Sequence, residues 1–207
     1  MNKLLSLLTS EQLKRVRIST FDKDEVIFHE EDTCQEISII LEGVIEISSI
    51  TKNGKKIIYN TVLTNQVFGN NLIFSSENLY RGDVICKTKS KIAFIDYKTL
   101  VDIISNNQYF MIEYLKIQSD FGKVLNSKIK ILSFNNGEDR LLYFLEIHNN
   151  QIKVVSIANL AKELNLTREA TSRLISKLIK ENILIREDVN NYIIIKLADN
   201  KWGKTNR

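Results

Sequence analysis

In the segment Thr167-Arg168-Glu169-Ala170-Thr171-Ser172-Arg173-Leu174-Ile175-Ser176-Lys177-Leu178, the chemistry on offer suits base edges and phosphates rather than bond breaking. An arginine fork matches the O6 and N7 acceptors of guanine, and a glutamate accepts from cytosine N4. Arg168, Ser172 and Arg173 recur at one-turn spacing near the start of a predicted helix, where recognition helices touch bases. Thr167 and the first-turn amides can hold a phosphate at the positive end of that helix, and Lys177 adds a sequence-independent phosphate contact. Glu169 among basic residues weakens purely nonspecific attraction, which favours sequence readout. The competing reading is an exposed charged face in a protein-binding module.

Charge sharpens the choice. The 207 residues hold 29 Lys and Arg against 25 Asp and Glu, a net of +4. From Lys153 to Lys180, six basic residues face two glutamates, so the whole excess lies in that stretch. A charge excess confined to one short stretch is the footprint of a phosphate-contacting surface. At 43% hydrophobic and 26% charged residues, the composition is globular and excludes a disordered chain. No apolar run reaches the roughly 18 residues of a spanning helix, and the N-terminus lacks a signal-peptide pattern, so a cytoplasmic protein without a membrane partner is expected.

Other chemistries find few residues. Cys34 and Cys86 cannot make a four-thiolate cluster, which excludes an iron–sulfur centre or a structural zinc site built from one chain's cysteines. Cys86 reads as buried in a strand, whereas Cys34, in a polar loop, is the better candidate for a reactive thiol, although no basic neighbour activates it. His29 beside Glu30, Glu31 and Asp32 reads as solvated surface, and no metal site is expected. A cupin-type barrel enzyme would need several His and carboxylate ligands, so no catalytic residues are assigned and no enzyme is expected. Proline is absent while Ile, Lys and Asn are abundant, which we read as a bias of nucleotide composition.

These residues need a scaffold. After an amphipathic N-terminal segment (Leu4, Leu5, Leu8, Leu13), short β-branched runs from Phe21 to Tyr97 predict strands at about ten-residue spacing, as in a small barrel or roll. Glu42-Gly43 marks a turn, and Asn53-Gly54 predicts a hairpin whose two central residues both have positive φ. From about Thr99 the period becomes helical, and a long helix is predicted between Asn107 and Ile131. Phe110, Tyr114, Ile117, Phe121 and Val124 form a heptad-like seam that could face the roll or a partner helix. About 24 helical residues span roughly 36 Å, more than a small barrel, which favours a dimer seam. Asn135-Asn136-Gly137 then marks a hinge.

Beyond it, an amphipathic helix covers Glu138 to Ile147. Ser156 and Thr167 are predicted N-caps, with Asn165 in the left-handed conformation between two helices and Ala161 allowing close approach. The apolar stripe of the second helix is Ala170, Leu174, Ile175 and Leu178. Ile183 to Ile185 and Tyr192 to Ile195 predict a two-stranded wing turning at Val189-Asn190-Asn191. The fold class is α+β, with a β-roll sensor domain at 1–106, a central dimerisation helix and hinge at 107–135, and a winged helix-turn-helix at 136–207.

The run Leu160 to Leu178, followed by Asn182-Ile183-Leu184-Ile185, resembles the winged helix-turn-helix of the CRP/FNR family of bacterial transcription regulators. Arg168-Glu169 with Arg173 matches that family's base-reading triplet. Asp24 to Phe28, Ile39 to Ile45 and Val67-Phe68-Gly69 resemble its cyclic-nucleotide-binding roll, and Arg140-Leu141 resembles the start of its DNA-binding domain. The resemblance implies a homodimer on palindromic double-stranded DNA, in contact with RNA polymerase, with an effector pocket near Phe68, Gly69, Asn70, Tyr80 and Arg81. In that pocket the sequence departs from the family pattern. Asn70 stands where nucleotide-binding members carry a carboxylate for the ribose, and Arg81 comes one place late and is followed by Gly82. The departure speaks against cyclic AMP or cyclic GMP, leaving an unidentified small effector or none, and the oxygen-sensing members' four cysteines are lacking.

Overall fold

A computed structural model describes residues 2–198; Met1 and residues 199–207, the last of the predicted C-terminal domain, lie outside the described residues. Two short helices, α1 (Lys3–Ser6) and α2 (Ser10–Lys14), precede eight strands: β1 (Arg17–Phe21), β2 (Val26–Phe28), β3 (Glu36–Glu42), β4 (Val44–Ile50), β5 (Lys56–Leu63), β6 (Val67–Phe68), β7 (Asp83–Cys86) and β8 (Ser90–Asp96). Then come α3 (Tyr97–Asn106), the long α4 (Gln108–Ser133), α5 (Gly137–Glu146), β9 (Gln151–Val154), α6 (Ile157–Glu163), α7 (Arg168–Lys180), β10 (Leu184–Val189) and β11 (Tyr192–Leu197). The chain divides into two compact units, 1–120 and 121–207.

The first unit is the roll. Its antiparallel sheets run β1-β8-β3-β6 and β2-β7-β4-β5. Ile37, Ser38, Ile39 and Ile40 are buried in succession, so both faces of β3 are covered. That requirement explains why Ile37, Ile39, Ile40 and Leu41 are interrupted only by the small Ser38, where a half-exposed strand would alternate. Leu4, Leu5 and Leu8 from the N-terminus join that core with Leu100 and Ile103 of α3 and Phe110 and Tyr114 of α4. Leu13, expected on the same apolar face, is exposed. Between β3 and β4, Gly43 has φ +100°, and a Cβ there would lie 2.8 Å from the Lys89 carbonyl oxygen and closer still to the Ser90 hydroxyl.

The hairpin between β4 and β5 differs from expectation. Gly54 alone takes positive φ, at +74°, and its amide donates to Thr51 O at 2.8 Å while Thr51 N donates to Lys55 O at 2.9 Å. The wider turn relieves Asn53 of the left-handed conformation that a two-residue loop would impose. Asparagine instead serves at positive φ at residues 65, 149, 150, 165, 182 and 190.

In the second unit the core gathers Ile131, Leu141, Phe144, Leu145, Leu160, Leu164, Ile175, Leu178, Leu184 and Ile195. The wing is present as β10 and β11, and a third strand, β9, pairs with β11. Neither β9 nor β1 was expected from sequence.

Candidate nucleic-acid interface

Local signals place α6 and α7. The Ser156 hydroxyl accepts from Asn159 N at 3.2 Å and that of Thr167 accepts from Ala170 N at 3.1 Å, so each cap satisfies a first-turn amide. Asn165 turns the chain at φ +51°, and Leu166 N donates to Ala161 O at 2.9 Å. Arg140 secures that turn. Its guanidinium donates to Phe134 O from Nε and Nη2 at 3.1 and 3.0 Å, and from Nη1 to Leu164 O and Asn165 O, both at 3.2 Å. The carbonyls just beyond α4 and at the end of α6 thereby gain donors that helix geometry denies them.

The buried side of α7 is Thr171, Ile175 and Leu178, with Leu174 half-buried. Ala170, expected in that stripe, is exposed; Thr171 takes its place because its hydroxyl donates to Thr167 O at 3.0 Å and so enters the core satisfied. Opposite, Arg168, Glu169, Ser172, Arg173, Ser176 and Lys180 are all exposed. At 100° per residue they cover about 140° of helix surface, and Ser172, Arg173, Ser176, Lys177, Lys180 and Glu181 line a shallow groove. Neither Arg168 nor Arg173 has an ion-pair partner among the described residues, so both forks are free to meet a ligand. The Thr167 hydroxyl, accepting in the cap, still has its proton to donate.

Lys177 is placed differently from its expected role as a free phosphate contact. Its Nζ lies 2.8 Å from Glu138 Oε2 and 3.9 Å from Glu181 Oε1, and the hydrogen bond and charge of Glu138 raise its pKa. The wing is charge-balanced, with Arg186 on Asp188 at 2.9 Å and Lys196 on Glu187 at 2.5 Å. Lys153 lies 3.9 Å from the centre of the Tyr192 ring.

Of the candidate effector residues in the roll, Phe68, Gly69 and Tyr80 come together in the core, whereas Asn70 and Arg81 are directed elsewhere. Phe68 and Tyr80 are core residues. Tyr80 stacks on Phe28 at 4.7 Å, and Phe28 meets Phe68 and Phe94 edge-on at 6.4 and 6.3 Å. Asn70, 4% exposed, is committed to α4. Its Nδ2 donates to Gln118 Oε1, while its carbonyl accepts from Gln118 Nε2 at 2.7 Å and from the Tyr114 hydroxyl at 3.1 Å. Gly69 carries the chain to this contact with its carbonyl accepting from Leu72 N and Ile73 N, both at 3.0 Å. Arg81 points into solvent and pairs with Glu77 at 2.5 Å. A cyclic nucleotide needs an acceptor for its ribose and a cation for its phosphate, and these residues do not supply them together.

Cys34 is also placed otherwise than expected. It is 1% exposed, its thiol donates to Glu36 O at 3.4 Å and to Gly69 O at 3.6 Å, and burial pushes its pKa up. The loop is drawn inward because Cys34 N donates to Asn78 O at 2.6 Å and Tyr80 N to Asp32 O at 3.0 Å. Cys86 is buried. His29 is exposed, 3.5 Å from Asp83, and no cluster of three metal-ligating side chains occurs among the described residues.

On α4 the predicted seam splits. Phe110 and Tyr114 are buried in the roll's core, with Ile117 packed against it, so the chain already uses the first half of that stripe. Phe121 is half-buried and Val124 exposed. A second apolar row is exposed instead: Ile112, Leu115 (53%), Leu125, Ile129 (66%) and Leu132. With Ser119 and Gly122 between, its spacing is 3-4-3-3-4-3, the alternating steps of a pairing helix interrupted by one repeated step of three at its small central residues. A Cβ at Gly122 would meet nothing within 4 Å.

Residues 18–107 match the family model described as "Cyclic nucleotide-binding domain". The chain is 22% identical over 204 residues to the "Anaerobic regulatory protein" of Bacillus subtilis, covering 93% of this chain and 84% of that protein. Among solved structures it is similar to a CooA variant from Carboxydothermus hydrogenoformans, with a TM-score of 0.70, 20% identity and coverage of 96% of this chain and 92% of that one. It is also similar to a transcriptional regulator from Thermotoga maritima, with a TM-score of 0.55 and 25% identity, covering 59% of this chain and 95% of that one. No helix among the described residues is long and apolar enough to cross a membrane.

Proposed function

We propose that this chain, a transcription regulator of the CRP/FNR type, binds palindromic DNA as a homodimer and contacts RNA polymerase from there. The observation that carries the reading is the exposed face of α7, where Arg168, Glu169 and Arg173 have no ion-pair partner among the described residues, on a helix fixed by caps and by Arg140. Each recognition helix enters one major groove, and two-fold pairing sets the half-sites about 34 Å apart. The second copy docks along the row Ile112, Leu115, Ser119, Gly122, Leu125, Ile129 and Leu132, a self-complementary contact of the kind a two-fold axis requires.

The roll in this reading works without a cyclic nucleotide. Arg81 on Glu77, Asn70 on Gln118 and Tyr80 in the aromatic core support that. A thermal-shift screen with cyclic AMP, cyclic GMP and haem tests it, since a ligand that prefers the folded state raises the melting temperature by mass action.

The DNA reading is tested by selecting duplexes from a randomised pool with the purified chain. Arg168→Ala and Arg173→Ala should each then weaken discrimination at one base pair by about 1–3 kcal/mol. Equal losses on selected and scrambled duplexes would assign both arginines to phosphates. Failure to select any sequence would favour a protein-binding adaptor.

A further inference from the structure

We infer that Glu138, which lies outside the helix-turn-helix pair, sets the general affinity of the DNA face: its carboxylate withdraws Lys177 from the cations available to phosphate, lowering affinity for DNA of any sequence while leaving the base-reading arginines free. The inference rests on the DNA reading proposed above.

Of the six basic residues between Lys153 and Lys180, Lys177 alone has carboxylate partners among the described residues, at 2.8 Å from Glu138 and 3.9 Å from Glu181. Lys153 is engaged by the Tyr192 ring. Glu138 cannot easily leave its partner, because its backbone belongs to the first turn of α5. That turn is capped by Asn136 through Asp139 N at 2.8 Å and anchored by Leu141 and Leu145 in the core. Glu169 and Glu138 thus act differently. The first stands on the exposed face of α7, where it can accept from a base, whereas the second is off that face and can only oppose phosphate. Lys177 itself thus meets two carboxylates, while Arg173 and Lys180, which line the same groove, keep the stretch basic.

The test uses the full chain, a duplex selected from a randomised pool, and a scrambled duplex of the same length, with affinities measured by fluorescence anisotropy over a salt series. Glu138→Gln should tighten binding to both duplexes by the same factor, leaving the preference for the selected one unchanged. One recovered phosphate contact per protomer should steepen the slope of log K against log salt by about 0.9, or about 1.8 for a dimer. Lys177→Gln alone should change little, and in the Glu138→Gln background it should cancel the gain. Glu146→Gln, the same charge change at the other end of α5, should have no effect.

Unchanged affinities in Glu138→Gln, tightening on the selected duplex alone, or a gain that survives loss of Lys177 would each overturn the inference while leaving the DNA reading intact. A parent chain that selects no duplex would overturn both.

Discussion

Replacing Arg140 with methionine should loosen the helix-turn-helix while leaving the roll unchanged. Four hydrogen bonds at 3.0 to 3.2 Å leave with the guanidinium, two on Phe134 O and one each on Leu164 O and Asn165 O. A hydrogen bond to a charged group contributes about 1.5–3 kcal/mol when buried. These carbonyls are partly exposed and regain water, so we take about 1.5 kcal/mol for the Phe134 pair and about 1 kcal/mol for the turn. A loss of roughly 2–3 kcal/mol follows, which corresponds to amide exchange about 30- to 150-fold faster at the turn and in α6 and α7. Hydrogen-exchange mass spectrometry reads both units in one experiment, which avoids treating a two-unit chain as a single transition. Arg140→Lys keeps the charge but lacks the fork, so it should fall between parent and methionine variant. If exchange from residue 156 to 180 stays within threefold of the parent in Arg140→Met, the guanidinium does not hold the turn and the reasoning fails.

Gln118→Ala should leave the Asn70 side chain buried without its partner, a loss of about 1–2 kcal/mol, and exchange at Leu72 and Ile73 should rise about tenfold; an unchanged loop would refute the tether. Gly43→Ala combines a φ of +100° with a clash against the Lys89 carbonyl and should destabilise the roll by about 3 kcal/mol or more in urea unfolding; a stability equal to the parent's would count against the turn geometry. Asp96 caps α3, accepting from Thr99 N at 3.0 Å and the Thr99 hydroxyl at 2.6 Å. Burial pushes its pKa up, but these bonds outweigh it and hold the carboxyl below the ordinary range. Its contribution is therefore complete above the unfolded value of about 3.9 and lost as the pH falls through the lower folded value. The urea midpoint of Asp96→Asn should accordingly depend less on pH than the parent's between about pH 5 and 2.5, and parallel curves would refute the assignment.

How far the sequence alone carried depended on the range of the interaction. Ser156, Thr167 and Asn165 act on amides and dihedrals a few residues away, so their roles were readable from residue type and spacing. β9 was missed because its pairing with β11 joins residues about forty positions apart, and β1 because its exposed Ile18 gave no apolar run. On α4, apolar residues recur at both Phe110-Tyr114-Ile117 and Ile112-Leu115. Periodicity finds both rows, but only the packed roll shows which one it covers. Cys34 sits among Asp32, Thr33 and Gln35, a polar setting that suggested exposure. What buries it is pairing with residues 78–80, too distant in sequence to be seen. Glu138 lies 39 positions from Lys177 and so escaped a charge count confined to the basic stretch.

The open row on α4 also bears on how output scales with dose. With the roll-facing residues already satisfied within the chain, the remaining apolar row is what a second copy would cover on the proposed pairing, and the DNA-competent species would then form in a bimolecular step. Below the concentration at which half the chains are paired, dimer abundance rises with the square of expression, and promoter occupancy follows it. A twofold change in synthesis then becomes about a fourfold change in occupancy by mass action. On the same proposed pairing, the Ser119 and Gly122 positions would set how closely the helices approach and so where along the expression range that threshold falls.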